Sequence, residues 1–269
     1  MLSKSLMKKT VKDNFKLWAV MTGVLIGFLL ICFGVMNAVT NGGFGPGGAD
    51  GPGGGMGGMG GSGGGLMTGG ILTQFYSMFA PILSMIYVFM TANKLIAAQV
   101  DKGSLSYVMA NPIKRNQVSI TQAVYLIGSV VAMFTMITAT GLIMTSAIGF
   151  EIEIGSFILL NLGAMLLLLA TSGISFLASC VFNLSSKSLA IGAGVPIAFF
   201  LFSTISGLGE MGIEALKYLK YLTINTLFNM SDILSNSTNM IWQFAILFGI
   251  MALCYAGGVL VFKKKDLPL

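Results

Sequence analysis

The run Leu17-Trp-Ala-Val-Met-Thr-Gly-Val-Leu-Ile-Gly-Phe-Leu-Leu-Ile-Cys-Phe-Gly-Val-Met-Asn-Ala-Val39 holds 23 residues without one charged side chain. At about 1.5 Å per residue, some 20 helical residues cross the roughly 30 Å of bilayer hydrocarbon, so this stretch reads as a membrane span. It is too long for the apolar region of a cleavable signal peptide, which runs about 7 to 15 residues. Five further segments meet the same rule, near Ile71 to Ala92, Val118 to Gly149, Ser156 to Phe182, Ser188 to Leu208 and Met240 to Phe262. The span beginning at Val118 is long enough to tilt or to project beyond the bilayer.

Composition agrees with that reading. The 269 residues are 55% apolar and 9% charged, with a mean hydropathy of +0.87, whereas a soluble domain carries about 25% charged residues. The expected fold is an all-α integral membrane protein of six transmembrane helices. Thirteen of the fifteen basic residues fall in four stretches: Lys4, Lys8, Lys9, Lys12 and Lys16; then Lys94, Lys102, Lys114 and Arg115; then Lys187; then Lys263, Lys264 and Lys265. Cytoplasmic loops collect Lys and Arg, so all four are expected inside, with both termini cytoplasmic. The net charge of +6 then describes orientation and contact with anionic lipid headgroups, and no nucleic-acid partner is implied.

Residues 1–16 are expected to form a cytoplasmic amphipathic interfacial helix. Met7, Val11, Phe15 and Trp18 recur at helical spacing while lysines project from other faces, the pattern of a helix lying in the headgroup plane. Residues 17–269 form a single six-span domain. Its outer loop 41–70 holds 18 of the 36 glycines and cannot bury enough apolar surface to offset its ordering entropy, so it is expected to be flexible. Met56, Met59 and Met67 there are soft donors for an ion such as Cu(I), but no His or Cys accompanies them. Loop 209–239 is long enough for short helices; Ile213, Leu216, Leu219 and Leu222 recur at helical spacing, and the outer membrane surface is their expected seat.

Enzymatic chemistry finds little to build on. Histidine is absent, and Cys32, Cys180 and Cys254 sit apart in apolar runs, which leaves zinc sites and histidine-based triads without their parts. No phosphate-binding loop occurs, so no nucleotide cofactor is expected in this chain. The span interiors contain no Asp, Glu, Lys or Arg. Intramembrane ionisable groups mark ion and proton pathways, and their absence weighs against the alternative of an ion-coupled secondary transporter or channel. Energy must enter from outside, and loop 94–116 is the expected point of entry. It reads Asp101-Lys102-Gly103-Ser104-Leu105-Ser-Tyr107-Val-Met-Ala-Asn111-Pro112-Ile-Lys114-Arg115. Ser104 suits a helix N-cap, Leu105, Val108 and Met109 supply an apolar face, and Asn111-Pro112 stops the helix.

The order Asp-x-Gly-Ser-Leu, a short apolar stretch, then Pro-x-x-Arg resembles the acidic-x-Gly-Thr/Ser-Leu and Pro-x-Ser-Arg pattern of type-2 ATP-binding-cassette (ABC) exporter permeases. The six-span plan and the ending Phe262-Lys-Lys-Lys-Asp266-Leu-Pro-Leu269 extend the similarity over the whole chain. The resemblance implies a non-catalytic half-transporter whose ATP and Mg are bound by a separate ABC ATPase subunit. A second copy, or a related permease, completes the transporter. By motif match Asp101, Lys102, Gly103, Ser104, Leu105, Tyr107, Pro112 and Arg115 are the ATPase-coupling positions. Lys114 stands where the family often has Ser, and Asp101 where it often has Glu. Because the second and fifth spans border the translocation cavity in this family, Phe75, Tyr76, Phe79, Met85, Phe199 and Phe200 are possible pathway residues. The implied cargo is hydrophobic or amphipathic, such as an antimicrobial or toxin-like peptide, a drug or a lipid, moved across a bacterial cytoplasmic (plasma) membrane by alternating access.

Overall fold

Among the described residues, six helices are long and apolar enough to cross a membrane. The computed structural model describes residues 4–40, 74–103, 115–148, 154–208, 223–228, 233 and 239–264, with no strand among them. The helices are α1 (Lys4–Thr40), α2 (Ala80–Leu95), α3 (Ala97–Asp101), α4 (Arg115–Ile148), α5 (Ile154–Val181), α6 (Ser185–Leu208) and α7 (Asn239–Lys264). A π-helical turn, Phe75–Phe79, runs without a break into α2. Pro81 at the start of α2 has no N–H to donate and its ring crowds the carbonyl four residues back; the wider turn, closed by Ala80 N–H donating to the Phe75 carbonyl, accommodates it. The Gly/Met loop 41–70 and the repeat Ile213 to Leu222 lie outside the described residues.

The first helix departs from expectation. The interfacial segment and the first span are one continuous helix of 37 residues, about 55 Å long and well in excess of the hydrocarbon. Its bundle-facing line at the amino-terminal end is Leu6, Thr10 and Asn14, all buried, whereas Val11 and Phe15 are 42% and 55% exposed. The segment therefore carries two stripes. Of the apolar one expected to lie on the membrane, Val11 and Phe15 face away from the bundle while Met7 and Trp18 pack against it, and a largely polar stripe packs inward.

Pairwise contacts give the direction of each helix. Along α1 and α4, Thr10 Oγ1 donates to Gln122 Oε1 at 3.4 Å and Trp18 Nε1 donates to the Ser129 carbonyl at 2.9 Å. Residue numbers rise together, so these helices are parallel. Along α5 and α7, Gly163 meets Phe244 and Gly173 meets Cys254, again in parallel. Between α2 and α6 the numbers run oppositely: Asn93 meets Ser185, while Pro81 and Phe200 share a cavity wall. The described residues of all four basic stretches therefore border one end of the bundle.

At the centre stands α5, packed against α2, α4, α6 and α7. Helices in lipid gain nothing from burying apolar surface against each other, so small residues and interhelical hydrogen bonds hold them. A Cβ built on Gly173 would lie 2.9 Å from Cys254 Cβ, and one on Gly258 would lie 2.9 Å from the Phe176 ring. The α5–α7 contact thus has no room for a methyl group. Ser172 Oγ and Tyr255 Oη lie 2.7 Å apart, Ser175 Oγ donates to the Gly192 carbonyl at 2.6 Å, and Ser188 Oγ donates to Ser179 Oγ at 3.1 Å.

Gly173→Val should lower the thermal midpoint of the detergent-solubilised chain by an overpacking cost of about 1–3 kcal/mol. Gly194→Ala, where an added Cβ meets nothing within 4 Å, should be neutral or stabilising by up to about 1 kcal/mol. Equal melting shifts for the two would disprove the close α5–α7 seam.

Candidate functional site

At the basic end, α2 breaks at Ile96 (φ −128°, ψ −66°) and the chain turns into the short α3. The break is anchored, because Leu95, Ile96 and Ala97 are buried and the first two belong to an apolar cluster with Leu6, Phe176, Cys180 and Phe262. Ile96 O accepts from Gln99 N and Val100 N, both at 3.0 Å, and Val100 O accepts from Gly103 N at 3.0 Å. Gly103 has φ +66°, a left-handed conformation that costs a residue with a Cβ about 1 kcal/mol or more. The glycine of the Asp-x-Gly-Ser-Leu motif therefore closes the helix before it. The expected helix start at Ser104, with Leu105, Tyr107 and Pro112, lies outside the described residues; Arg115 opens α4, and its side chain also lies outside them.

Asp101 reaches across to α6. Its Oδ2 accepts from Ser185 N at 3.3 Å, and Asn93 Nδ2 donates to Ser185 Oγ at 2.7 Å. Ser185 is the first residue of α6, so the carboxylate sits where unpaired N–H groups and the helix dipole favour negative charge. The 183–187 turn and the Asp101-Lys102-Gly103 segment are consequently neighbours. Lys102 is exposed and borders a second hollow shared with α1.

At the opposite end lies a cavity of about 390 Å3 between α2, α5, α6 and residues 223–228. Its walls are Gln74, Ser77, Met78, Pro81, Leu167, Phe200, Ser203, Thr204, Asn225 and Phe228, none of them charged. Residues 223–228 follow the helical repeat expected on the outer membrane surface, which itself lies outside the described residues. They form a short 3-10 turn, Asn225–Leu227, that dips among the helices until Phe228 meets Gly163. Gly163 lies nine residues into α5, about 14 Å along its axis. Non-helical backbone is tolerated at such depth only when protein encloses it or it lines a hydrated cavity. Asn225 is 8% exposed, and neither its Oδ1 nor its Nδ2 has a partner among the described residues.

The expected pathway residues separate into two groups. Phe200 lines the cavity and Phe199, beside it on α6, is half-buried. Phe75, Tyr76, Phe79 and Met85 belong to the packed interior instead: Phe75 and Tyr76 are 0% exposed, Phe28 of α1 lies 4.3 Å from Phe79 and 6.5 Å from Phe75, and Tyr76 meets Phe157 edge-on at 6.3 Å. Gln74, Ser77, Ser203, Thr204 and Asn225 were not singled out in the sequence. Their only signal was polarity near the ends of apolar runs.

The family model described as "ABC-2 family transporter protein" matches residues 5–267. No individual curated protein matches the chain. Asn225→Leu should be neutral or stabilising by about 1–2 kcal/mol, because it removes two buried polar atoms that nothing satisfies. A clear fall in melting temperature would mean that the amide has an essential partner within the fold.

Proposed function

The chain belongs to the ABC-2 transporter family, and from that premise we propose that it is the permease subunit of an exporter driven by a separate ABC ATPase. In this proposal residues 101–115 receive the power stroke, with Asp101, Lys102, Gly103, Ser104, Leu105, Tyr107, Pro112 and Arg115 forming the contact. ATP and Mg stay on the ATPase, and this chain performs no covalent chemistry. Two copies, or this chain with a related one, enclose the path in a bacterial cytoplasmic membrane, with both termini and the basic end inside the cell.

The observation that carries the proposal is the bridge from Asn93 and Asp101 to Ser185. The helices it joins, α2 and α6, are the same two that flank the uncharged cavity at the far end. A displacement delivered at the Asp101-Lys102-Gly103 segment is thereby applied to both cavity walls together. This is the mechanical requirement of alternating access: one bistable element biased at two sites.

Cavity chemistry supports the class of cargo. Phe200, Phe228 and Met78 offer apolar and aromatic contact, while Gln74, Ser77, Ser203, Thr204 and Asn225 offer hydrogen bonds without charge. A hydrophobic or amphipathic molecule with amide or hydroxyl groups fits that lining, whether a toxin-like or antimicrobial peptide, a drug or a lipid.

Replacing Gly103-Ser104-Leu105 with bulky charged residues should leave membrane insertion intact, abolish co-purification with the ATPase and abolish ATP-dependent export from proteoliposomes. Export by the chain alone, with no ATPase and no ATP, would overturn the proposal in favour of an ion-coupled transporter.

A further inference from the structure

A hollow of about 240 Å3 opens at the basic end between α1, the end of α2 and α3. Three lysines from these three elements border it, Lys9, Lys94 and Lys102, opposed by the single carboxylate of Asp13. Lys94 Nζ already donates to the Asp13 main-chain carbonyl at 3.0 Å, which holds its ammonium at the rim. The floor is polar. Thr10 and Asn14 are 6% and 2% exposed, and Asn14 Nδ2 donates to the Thr10 carbonyl at 3.0 Å while Oδ1 has no partner among the described residues. Leu6 and Ala98 add apolar wall beside this floor, and the net positive charge of the rim calls for an anion with an apolar portion.

Position selects among anions. Asn14 and Lys9 precede Leu17, the start of the apolar run, by about 5 to 12 Å along an upright helix. The headgroup layer on each side of a bilayer is roughly 5–8 Å thick, so the hollow opens at headgroup depth. Basic recesses between transmembrane helices at the cytoplasmic face suit acidic lipid headgroups. The geometry points to a bound anionic phospholipid, its phosphate held by Lys9, Lys94 and Lys102. An occupied hollow ties the amino-terminal end of α1 to the α2–α3 segment through one phosphate. The site requires no ATPase, so its failure would leave the exporter proposal standing.

Native mass spectrometry of the detergent-purified full chain tests this, with titrations of phosphatidylglycerol, phosphatidylcholine and inorganic phosphate. Phosphatidylglycerol should be retained and phosphatidylcholine lost. Lys9→Gln and Lys94→Gln should each weaken retention about fivefold, the effect of one lysine near an anionic lipid surface. Lys187→Gln, exposed on the same end but outside the hollow, should change nothing. Should Lys94→Gln unfold, as judged by circular dichroism, exposed Lys9 decides alone. Equal retention of phosphatidylcholine, or an equal loss in Lys187→Gln, would overturn the site. Displacement of the lipid by equimolar inorganic phosphate would overturn its assignment to a lipid.

Discussion

Close approach to α5 is the constraint on which the bundle depends. With lipid on the outside there is no hydrophobic penalty for separation, so contact survives only where surfaces interlock and polar groups pair. Gly173, Gly192 and Gly258 permit the interlocking, and Ser172, Ser175 and Ser179 supply the pairing. The most apolar windows of α2 and α5 are both 61% buried, against 17% for α6 and α7. The cavity thus has a firmly held side on α2 and α5 and a lightly held wall on α6. Of the three helical walls, α6 is the one whose movement breaks fewest contacts.

That inequality gives the Ser185 bridge its weight. The first turn of α6 is held by Asn93 and Asp101, while Phe200, Ser203 and Thr204 face the cavity roughly four to five turns further on. Pro196 lies inside α6 between these two points and removes one helical hydrogen bond, but the helix runs on without a break, so tilting its first turn still moves its far end. The hydrogen bonds at Ser185 are partly exposed and contribute little stability individually. Their role is geometric, which sits well with the absence of ionisable groups inside the spans.

Much of the fold was legible in the sequence because span length and charge are dictated by the bilayer, whose dimensions are known in advance. Six apolar runs became six helices, most ends displaced by a few residues, while the first helix begins thirteen residues before its expected span, at Lys4. Features set by tertiary contact were less legible. That Gly103, just before the expected N-cap Ser104, ends the preceding helix with a φ of +66° was not legible, because the letters Gly-Ser suit a helix end and a helix start equally. Phe75 and Tyr76 stood out as aromatic residues on a cavity-lining span, but aromatic periodicity does not say which face is inward. The dip of residues 223–228 left no trace, because a helix on the membrane surface and a turn inserted among helices share the same mixture of Ile, Leu, Thr and Asn. The polar stripe Thr10 and Asn14 was hidden beneath a more conspicuous apolar one.

The π-helical turn at Phe75–Phe79 has one further effect. Counting back by fours from the buried Met85 and Pro81, a regular α-helix would bring Ser77 to the packed face. The additional residue in the turn advances the phase by about 100°, so Tyr76 is buried while Ser77 is exposed. Gln74 and Ser77 owe their place on the cavity rim to this angular offset, and the hydrophilic character of the vestibule is therefore written in helical pitch as much as in amino-acid identity.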